Sequence, residues 1–594
     1  MSQSTSPVVQ TQPIGYAPIL RHYFEQCQIA NIIDDHVARD PRRNVLTHGE
    51  ACVAMITGIL YQVFALYNLT KFARETDILQ VLLPGISPGE YFDDRLADTL
   101  DAVYDYGLGN LEVVLTRQML TRFEIDSAVC HNDPPSASVS GHYSATRTDQ
   151  SIRITFGDSK KHRGDLKQLV WSLSVSSDSA FPLFQQAYSG NPADVDPYLE
   201  QWQPLIDLLG RHDFLYVADS KLLSKETMAF IHDHGGFFLA PAPMYASYQA
   251  VFDQAFETHS SERLLLYQDH FNRGFDVPCP VTVTGHTYPF RMIILYDTGL
   301  FARKPQALEA LMEKTKAAFA LLDTKLNTSA LKTADAIDQA CAAMLMRYQT
   351  AAFFDDTRTN TPRITSRQAK RGRPAAGPPP EKRAVITDQF QVARQFHDAV
   401  FEQALVRCGY DPLLTNHPPD ALSIAEAMRH HKDQYKSEHT YRRAKSDYQL
   451  EPIYLHLPER IAAFLFLLKI ALQILVLLER TARQNLTKRQ TGLNNFRPNR
   501  QDVRNPRAEA LLKEFQYLVT GEMVFPDGRR RGVISDLTDL QKDILVLLEV
   551  PLIWFTYDYL SNPGGEEVIR LAKYLSYDFQ RAKSKSYSII FNYH

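Results

Sequence analysis

The segment "RIAAFLFLLKIALQILVLLERTAR", starting at Arg460, limits what this chain can fold into more than any other. It has no polar face, so a helix made from it must be enclosed on every side. Its apolar run is about 18 residues, the low end of what spans a bilayer. Lys469 and Gln473 interrupt that run, and a charge at mid-bilayer is costly. The segment therefore reads as a helix buried in the core of a large globular protein, with no membrane partner. A chain of 594 residues can enclose such a helix, and its length suggests roughly two to four domains.

Composition excludes some classes. The formal net charge of −4 is small for this length, so nucleic-acid binding would have to come from local basic patches and not from a global field. The cysteines are Cys27, Cys52, Cys130, Cys279, Cys341 and Cys408. None forms a C-x-x-C pair, which argues against a structural zinc site, and their scatter suits a reducing cytoplasm. The polar start "MSQSTSPVVQTQP" has no apolar core and reads as a disordered tail over residues 1–12.

Residues 13–126 read as short helices. Thr47 and Glu50 are placed as a capping box, and Ser87, Pro88 and Glu90 repeat the device with proline at the first helical position. Such a bundle is either a DNA-binding domain or a helical cap without a ligand. From residue 127 the texture changes to short strands, "SAVCHND", "SIRITFG", "LKQLVWSLSVSS" and "AFPLFQQAYS", followed by alternating helix and strand through "DFLYVADS" and "GFFLAPA". This predicts a mixed α/β sheet over 127–241. Residues 242–400 break the rhythm with a hairpin, one long helical stretch from Lys304 to about 354, and a flexible basic linker at 357–385. They read as an insertion. The sheet is expected to resume over 401–479, starting at "ALVRCGYDPLLTN" and closing with the apolar helix. Residues 480–594 read as a basic linker and a helical C-terminal region.

Asp133 and Asp219 each end a short apolar strand. Carboxylates at the ends of neighbouring strands can share a metal, although a strand that ends in Asp is most often an ordinary turn. Glu438 lies on a helix with Arg442 at i+4 and Lys445 at i+7, which puts all three on one face. A carboxylate beside two cations suits a site for a divalent metal and a phosphate backbone.

In this order the chain carries "HNDPPSASVSGHY", "FGDSKKHRGDLKQLVWSL", "PLFQQAYSGNPADVD", "FLYVADSKL", "DQYKSEHTYRRAKSD" and "EPIYLHLPERIAAFLFLLKIALQILVLLER". Together these blocks resemble the DDE transposases of bacterial insertion sequences, the branch with a long N-terminal helical domain and a split catalytic core. The resemblance runs from about residue 13 to 560. It implies a ribonuclease H-like core with the first Asp on the first strand, the second on the fourth and the Glu on a late helix. These roles fall on Asp133, Asp219 and Glu438 as catalytic residues and metal ligands. The implied cofactor is Mg²⁺, with Mn²⁺ as a substitute, since an all-oxygen donor set suits hard cations.

The resemblance also implies metal-dependent strand cleavage and strand transfer at the element's ends. The partners would be double-stranded DNA, both transposon ends and target, and a second copy of the chain in a homodimer on DNA. The place of action would be the bacterial cytoplasm, at the nucleoid. Candidate DNA contacts are Arg442 and Lys445, the Lys160, Lys161 and Arg163 cluster, and Lys370, Arg371 and Arg373, whose "KRGRP" resembles an AT-hook core.

The chain departs from the pattern where relatives commonly read Asp-Thr-Thr; here the residues are Asp133-Pro134-Pro135. Two prolines remove two backbone donors and should distort or end the strand there. The alternative reading is a transposase-derived DNA-binding protein with impaired catalysis.

Overall fold

The structure is a computed structural model. It describes residues 8–39, 45–133, 136–139, 152–156, 167–189, 197–258, 263–267, 270–368, 382–448, 453, 455–496, 502–556 and 560. The chain is mixed α/β and divides into two units. One comprises Met1–Ala240, Thr282–Tyr288 and His430–His594; the other comprises Pro241–Val281 and Pro289–Arg429.

The first unit opens with strand β1 (Val8–Pro13) and seven helices: α1 (Ala17–Gln26), α2 (Ile29–His36), α3 (His48–Leu60), α4 (Tyr67–Glu75), α5 (Ile78–Leu82), α6 (Asp93–Tyr106) and α7 (Leu108–Phe123). The Thr47–Glu50 capping box forms as the sequence predicts: the Thr47 hydroxyl accepts from the Glu50 amide at 3.1 Å, and the Glu50 carboxylate accepts from the Thr47 amide at 2.8 Å. Ser87 caps nothing. Pro88–Glu90 makes only a 3₁₀ turn, Glu90 pairs with Arg95, and α6 starts later with Asp93 and Asp94 in its first turn.

The sheet of this unit contains β2 (Val129–Asp133), β3 (Ser136–Val139), β4 (Thr155–Phe156), β5 (Lys167–Ser176), β6 (Pro182–Tyr188), β7 (Leu215–Val217) and β8 (Phe237–Pro241). Helices α8 (Pro197–Leu209) and α9 (Lys225–Asp233) precede β7 and β8. β2, β5 and β6 are antiparallel neighbours, while β7 runs parallel to β2 and β8 parallel to β7. Of "SIRITFG" only Thr155 and Phe156 form a strand.

The second unit contains α10 (Ala246–Thr258), β9 (Arg263–Tyr267) and β10 (His270–Pro278). The hairpin β11 (Val281–Val283) and β12 (His286–Tyr288) interrupts it before β13 (Arg291–Asp297). Then come α11 (Thr298–Phe301), α12 (Lys304–Asp323), α13 (Ala334–Tyr348), β14 (Phe354–Asn360), β15 (Arg363–Gln368), β16 (Lys382–Thr387), β17 (Phe390–Phe396), α14 (Asp398–Arg407), β18 (Tyr410–Thr415) and most of α15 (Ile424–Lys432). Three expectations fail here. The long helical stretch is two helices, and α13 starts at a Thr333 side-chain cap. Among the described residues of the flexible linker expected at 357–385, 357–360, 363–368 and 382–385 are paired strand, because residues 354–368 alternate well enough to ladder with 382–396. The boundary expected at 401 lies at Arg429, because β18, from "YDPLLT", pairs along its length with β13 of the second unit.

The chain returns to the first unit with α16 (Tyr435–Arg442), α17 (Pro458–Arg489), α18 (Ala508–Lys513), β19 (Val519–Val524), β20 (Arg530–Ile534) and α19 (Asp539–Leu547). Residues 8–12 are not tail. β1 pairs along its length with β19, which pairs with β20, so the C-terminal region is not wholly helical. The boundary expected at 480 falls inside α17.

That helix organises the unit. Pro458 opens it, and Lys488 and Arg489 sit in its last turn, where cations favour the negative end of the helix dipole. Its 32 residues give a rod of about 48 Å. Among the described residues it is the one helix long and apolar enough to cross a membrane, and its apolar window is completely buried by protein. α3, α6 and α7 pack on it, as do β6 and α19.

The polar residues of α17 are matched rather than exposed. The Lys469 ammonium lies 3.1 Å from Glu112 of α7 and donates to Thr116 at 2.5 Å. Gln473 donates to Thr116 and to the Pro182 carbonyl, and the Gln185 amide donates to Glu112 at 2.8 Å. Burial raises Glu112 to about 7 against the pull of Lys469, and burial lowers Lys469. Removing one partner of such a pair strands a buried charge, which costs about 3–5 kcal/mol, whereas replacing both is often neutral. Lys469→Met should therefore lower the urea midpoint strongly, and adding Glu112→Gln should recover most of the loss. Additive losses in the double variant would show that the two groups are not coupled.

Candidate active site

β2 is polar for a central strand. Its sequence Val-Cys-His-Asn-Asp puts His131 and Asn132 side by side, so pleating sends them to opposite faces of the sheet, and both are fully buried. On one face, Ser172 of β5 donates to Asn132 Oδ1 at 3.0 Å, and Asn132 Nδ2 donates to the Tyr216 hydroxyl of β7 at 2.5 Å. Tyr216 donates to the Tyr198 carbonyl of α8 at 3.4 Å, and the Tyr198 hydroxyl donates to Asp219 Oδ1 at 2.6 Å. A hydrogen-bonded line thus runs across the sheet and ends on the second candidate carboxylate.

Asp219 follows β7 with extended backbone and caps the short turn at Ser220–Leu223, accepting from the Lys221 amide at 2.9 Å. Both contacts fall on Oδ1; among the described residues Oδ2 accepts no hydrogen bond. β2 and β7 are parallel, with His131 opposite Val217. Asp133 lies two residues past the last pair on β2, and Asp219 lies two residues past it on the β7 side, in the cap of the turn that follows β7. Asp133 itself is placed opposite Leu173 of β5; its side chain lies outside the described residues.

β2 and β3 hold one register against β5 on either side of residues 134–135, with Asp133 opposite Leu173 and Ser136 opposite Val170. Strand β2 ends at Asp133, directly before the prolines, and pairing with β5 is taken up again by β3 from Ser136. β7 pairs with β2 as far as His131.

α16 lies over β2 and β5. Its inner face is anchored by Lys436, which donates to the Ser177 carbonyl and to Asp433, and by Thr440. Glu438 and Arg442 are on the exposed side. Lys445 does not continue their line. The helix widens into a five-residue π turn at Arg443–Asp447, in which each residue turns through less than 100°, and the Lys445 ammonium lies 5.8 Å from the centre of the Tyr441 ring. Such turns are frequent at functional sites. Arg443 between them points inward, donating to Glu509 at 2.6 Å and to Glu479 of α17 at 2.8 Å. It is the anchor of α16, and sequence reasoning passed over it because a third basic residue in "YRRAK" looks like surface.

Asp133 thus ends β2, Asp219 follows the neighbouring β7 by two residues, and Glu438 lies on the exposed side of α16, which packs over β2 and β5. Among the described residues no three His, Cys, Asp or Glu side chains gather closely enough to hold a metal ion. Lys160, Lys161, Arg163, Lys370, Arg371 and Arg373 lie outside the described residues. Three arginines of the expected basic linker from 480 are engaged within the fold: Arg480 with Asp178, Arg489 with Asp543, and Arg507 with Asp447.

Residues 9–116 match the family model of a domain of unknown function, DUF4277. The match covers β1 and the N-terminal helices and stops before every candidate site residue. No curated protein matches the chain.

On the α16 face, neither ring nitrogen of His131 meets a hydrogen-bond partner. Burial first, then the neighbouring His430, lowers its pKa to about 3. The unfolded chain binds that proton near pH 6.5. The stability this confers is intact above about pH 6.5 and is lost as pH falls from there towards 3. His131→Leu should flatten the acid limb of a urea-midpoint profile; an unchanged limb would remove His131 from the account.

Proposed function

We propose that this chain is a DNA transposase with a ribonuclease H-like core, cutting and joining DNA through Asp133, Asp219 and Glu438. One observation supports the reading: β2, whose last residue is Asp133, runs parallel to β7, the strand that leads into Asp219. β2 is the first strand of its sheet in chain order, β7 follows β3, β4, β5 and β6, and Glu438 lies on a late helix over β2. The N-terminal match adds support, since DUF4277 is often found in transposase-like proteins.

The donor set is all oxygen, and among the described residues one carboxylate oxygen of Asp219 is clear of hydrogen bonds, which fits Mg²⁺ or Mn²⁺. Bound there, such an ion supplies Lewis-acid polarisation to a phosphate ester and lowers the pKa of an attacking hydroxyl. The chain's own part is positional. Tyr198 and the Lys221 amide fix Asp219 through Oδ1. Arg443 fixes the helix that carries Glu438. Arg442 on that helix's exposed side meets the phosphate backbone, with Lys445 in the π turn that follows. The N-terminal helices would read the element's ends, and two copies would hold two ends together at the bacterial nucleoid.

A second reading, a transposase-derived DNA-binding protein with impaired catalysis, is favoured by Pro134-Pro135. One assay separates the two. A labelled duplex carrying the DNA that flanks the gene should be nicked at a defined end with Mg²⁺ or Mn²⁺. Asp219→Ala should reduce nicking by about a hundredfold or more, given the several kcal/mol a metal site supplies. Specific binding without nicking would select the second reading, and restoring Thr at 134 and 135 should then raise activity.

A further inference from the structure

β14 pairs with β17 and β15 with β16 in one continuous register, Phe354 opposite Phe396 at one end and Gln368 opposite Lys382 at the other. The result is a two-stranded antiparallel ribbon about 50 Å long at 3.4 Å per residue. Its two halves differ. The inner half is packed: Phe354 and Phe390 are buried against α12 and α13. Its cations are paired, Arg358 with Asp338 and Arg394 with Asp323 and Asp356.

The outer half, β15–β16, has no core. Ile364 and Ile386 face each other at 71% and 69% exposure. Arg363, Arg367 and Arg383 share the opposite face, and all three are exposed. Arg367 is directly across from Arg383, an arrangement that destabilises a ladder. Neither strand contains an acid, and among the described residues none of the three arginines has an ion-pair partner.

A bare ribbon with a like-charge pair is kept for what it meets outside. We propose that the arginine face of β15–β16 is a docking arm for duplex DNA, gripping phosphates along a groove. The dimensions suit this: Arg363 and Arg367 are four residues apart, about 14 Å, near the roughly 12 Å width of a major groove, which admits a two-stranded ribbon. A second copy of the chain is the poorer occupant, because pairing two such edges would bring like charges together. The proposal rests on the DNA-acting reading above and adds a binding surface in the second unit, on strands that carry none of the three carboxylates.

The test uses the full chain and a fluorescein-labelled random duplex, with Kd measured across a NaCl series. Replacing the three arginines by Gln should weaken binding about tenfold or more and reduce the salt slope by about 0.9 for each phosphate no longer neutralised, up to about 2.7. Replacing them by Lys should keep the slope, because counterion release counts charges. Thermal melting of the Gln variant should not fall, since a repulsive pair is removed. Unchanged affinity and slope in the Gln variant would overturn the arm; so would abolished self-association with DNA binding intact. Wild type that binds no duplex would overturn both the arm and the transposase reading. Arm-dependent binding without Asp219-dependent nicking would leave the arm standing and sink only the catalytic reading.

Discussion

A helix with no polar face has to be surrounded, and α17 recruits its surroundings from far along the chain. Arg460 pairs with Asp101, Lys469 with Glu112, Gln473 with the Pro182 carbonyl, Arg480 with Asp178, and Glu479 with Arg443. Each polar residue on the rod fastens a different neighbour: α6, α7, β6, the turn after β5, and the end of α16. Apolar burial supplies the driving force, roughly in proportion to area, but does not fix rotation or register. The polar contacts do, since a misplaced Lys469 would be a bare buried charge. The same helix that binds the N-terminal bundle to the sheet therefore also sets where Glu438 stands.

What the sequence disclosed follows the range of the forces involved. The Thr47 capping box, the Ser224 cap of α9 and the enclosure of α17 are local or compositional, and the residues alone announce them. Asp219 was legible as a strand end because three apolar residues of β7 and Ala218 precede it. The ribbon was not. Its residues read as linker because both outer faces are solvated and nothing in six polar-rich positions marks a partner strand beyond a proline-rich gap. Pairing there is a long-range fact, visible only as one register shared by two segments. Nor could spacing show that the helix carrying Glu438 widens at Arg443, because that turn answers to Glu479 and Glu509, which lie well downstream.

β2 bears a cost that packing alone does not explain. A central strand flanked on both edges is most stable when apolar on both faces, yet this one buries Asn132 on one side and an unpartnered imidazole on the other. Asn132 is compensated by Ser172 and Tyr216. His131 is not, and it stays neutral for that reason. Strained or unsatisfied groups gather where a fold serves something other than its own stability, and these lie within two residues of Asp133.

The prolines after Asp133 bear on the same point. In an antiparallel strand, successive residues direct their amides to alternate edges, so two adjacent prolines withdraw one donor from each edge. β7 has ended its pairing with β2 at His131, and the β5 ladder that reaches Asp133 takes up again at Ser136 in the same register. What Pro-Pro removes, relative to Thr-Thr, is hydroxyl and amide donors next to the carboxylate. Restoring Thr at these positions therefore tests whether those donors serve chemistry at Asp133.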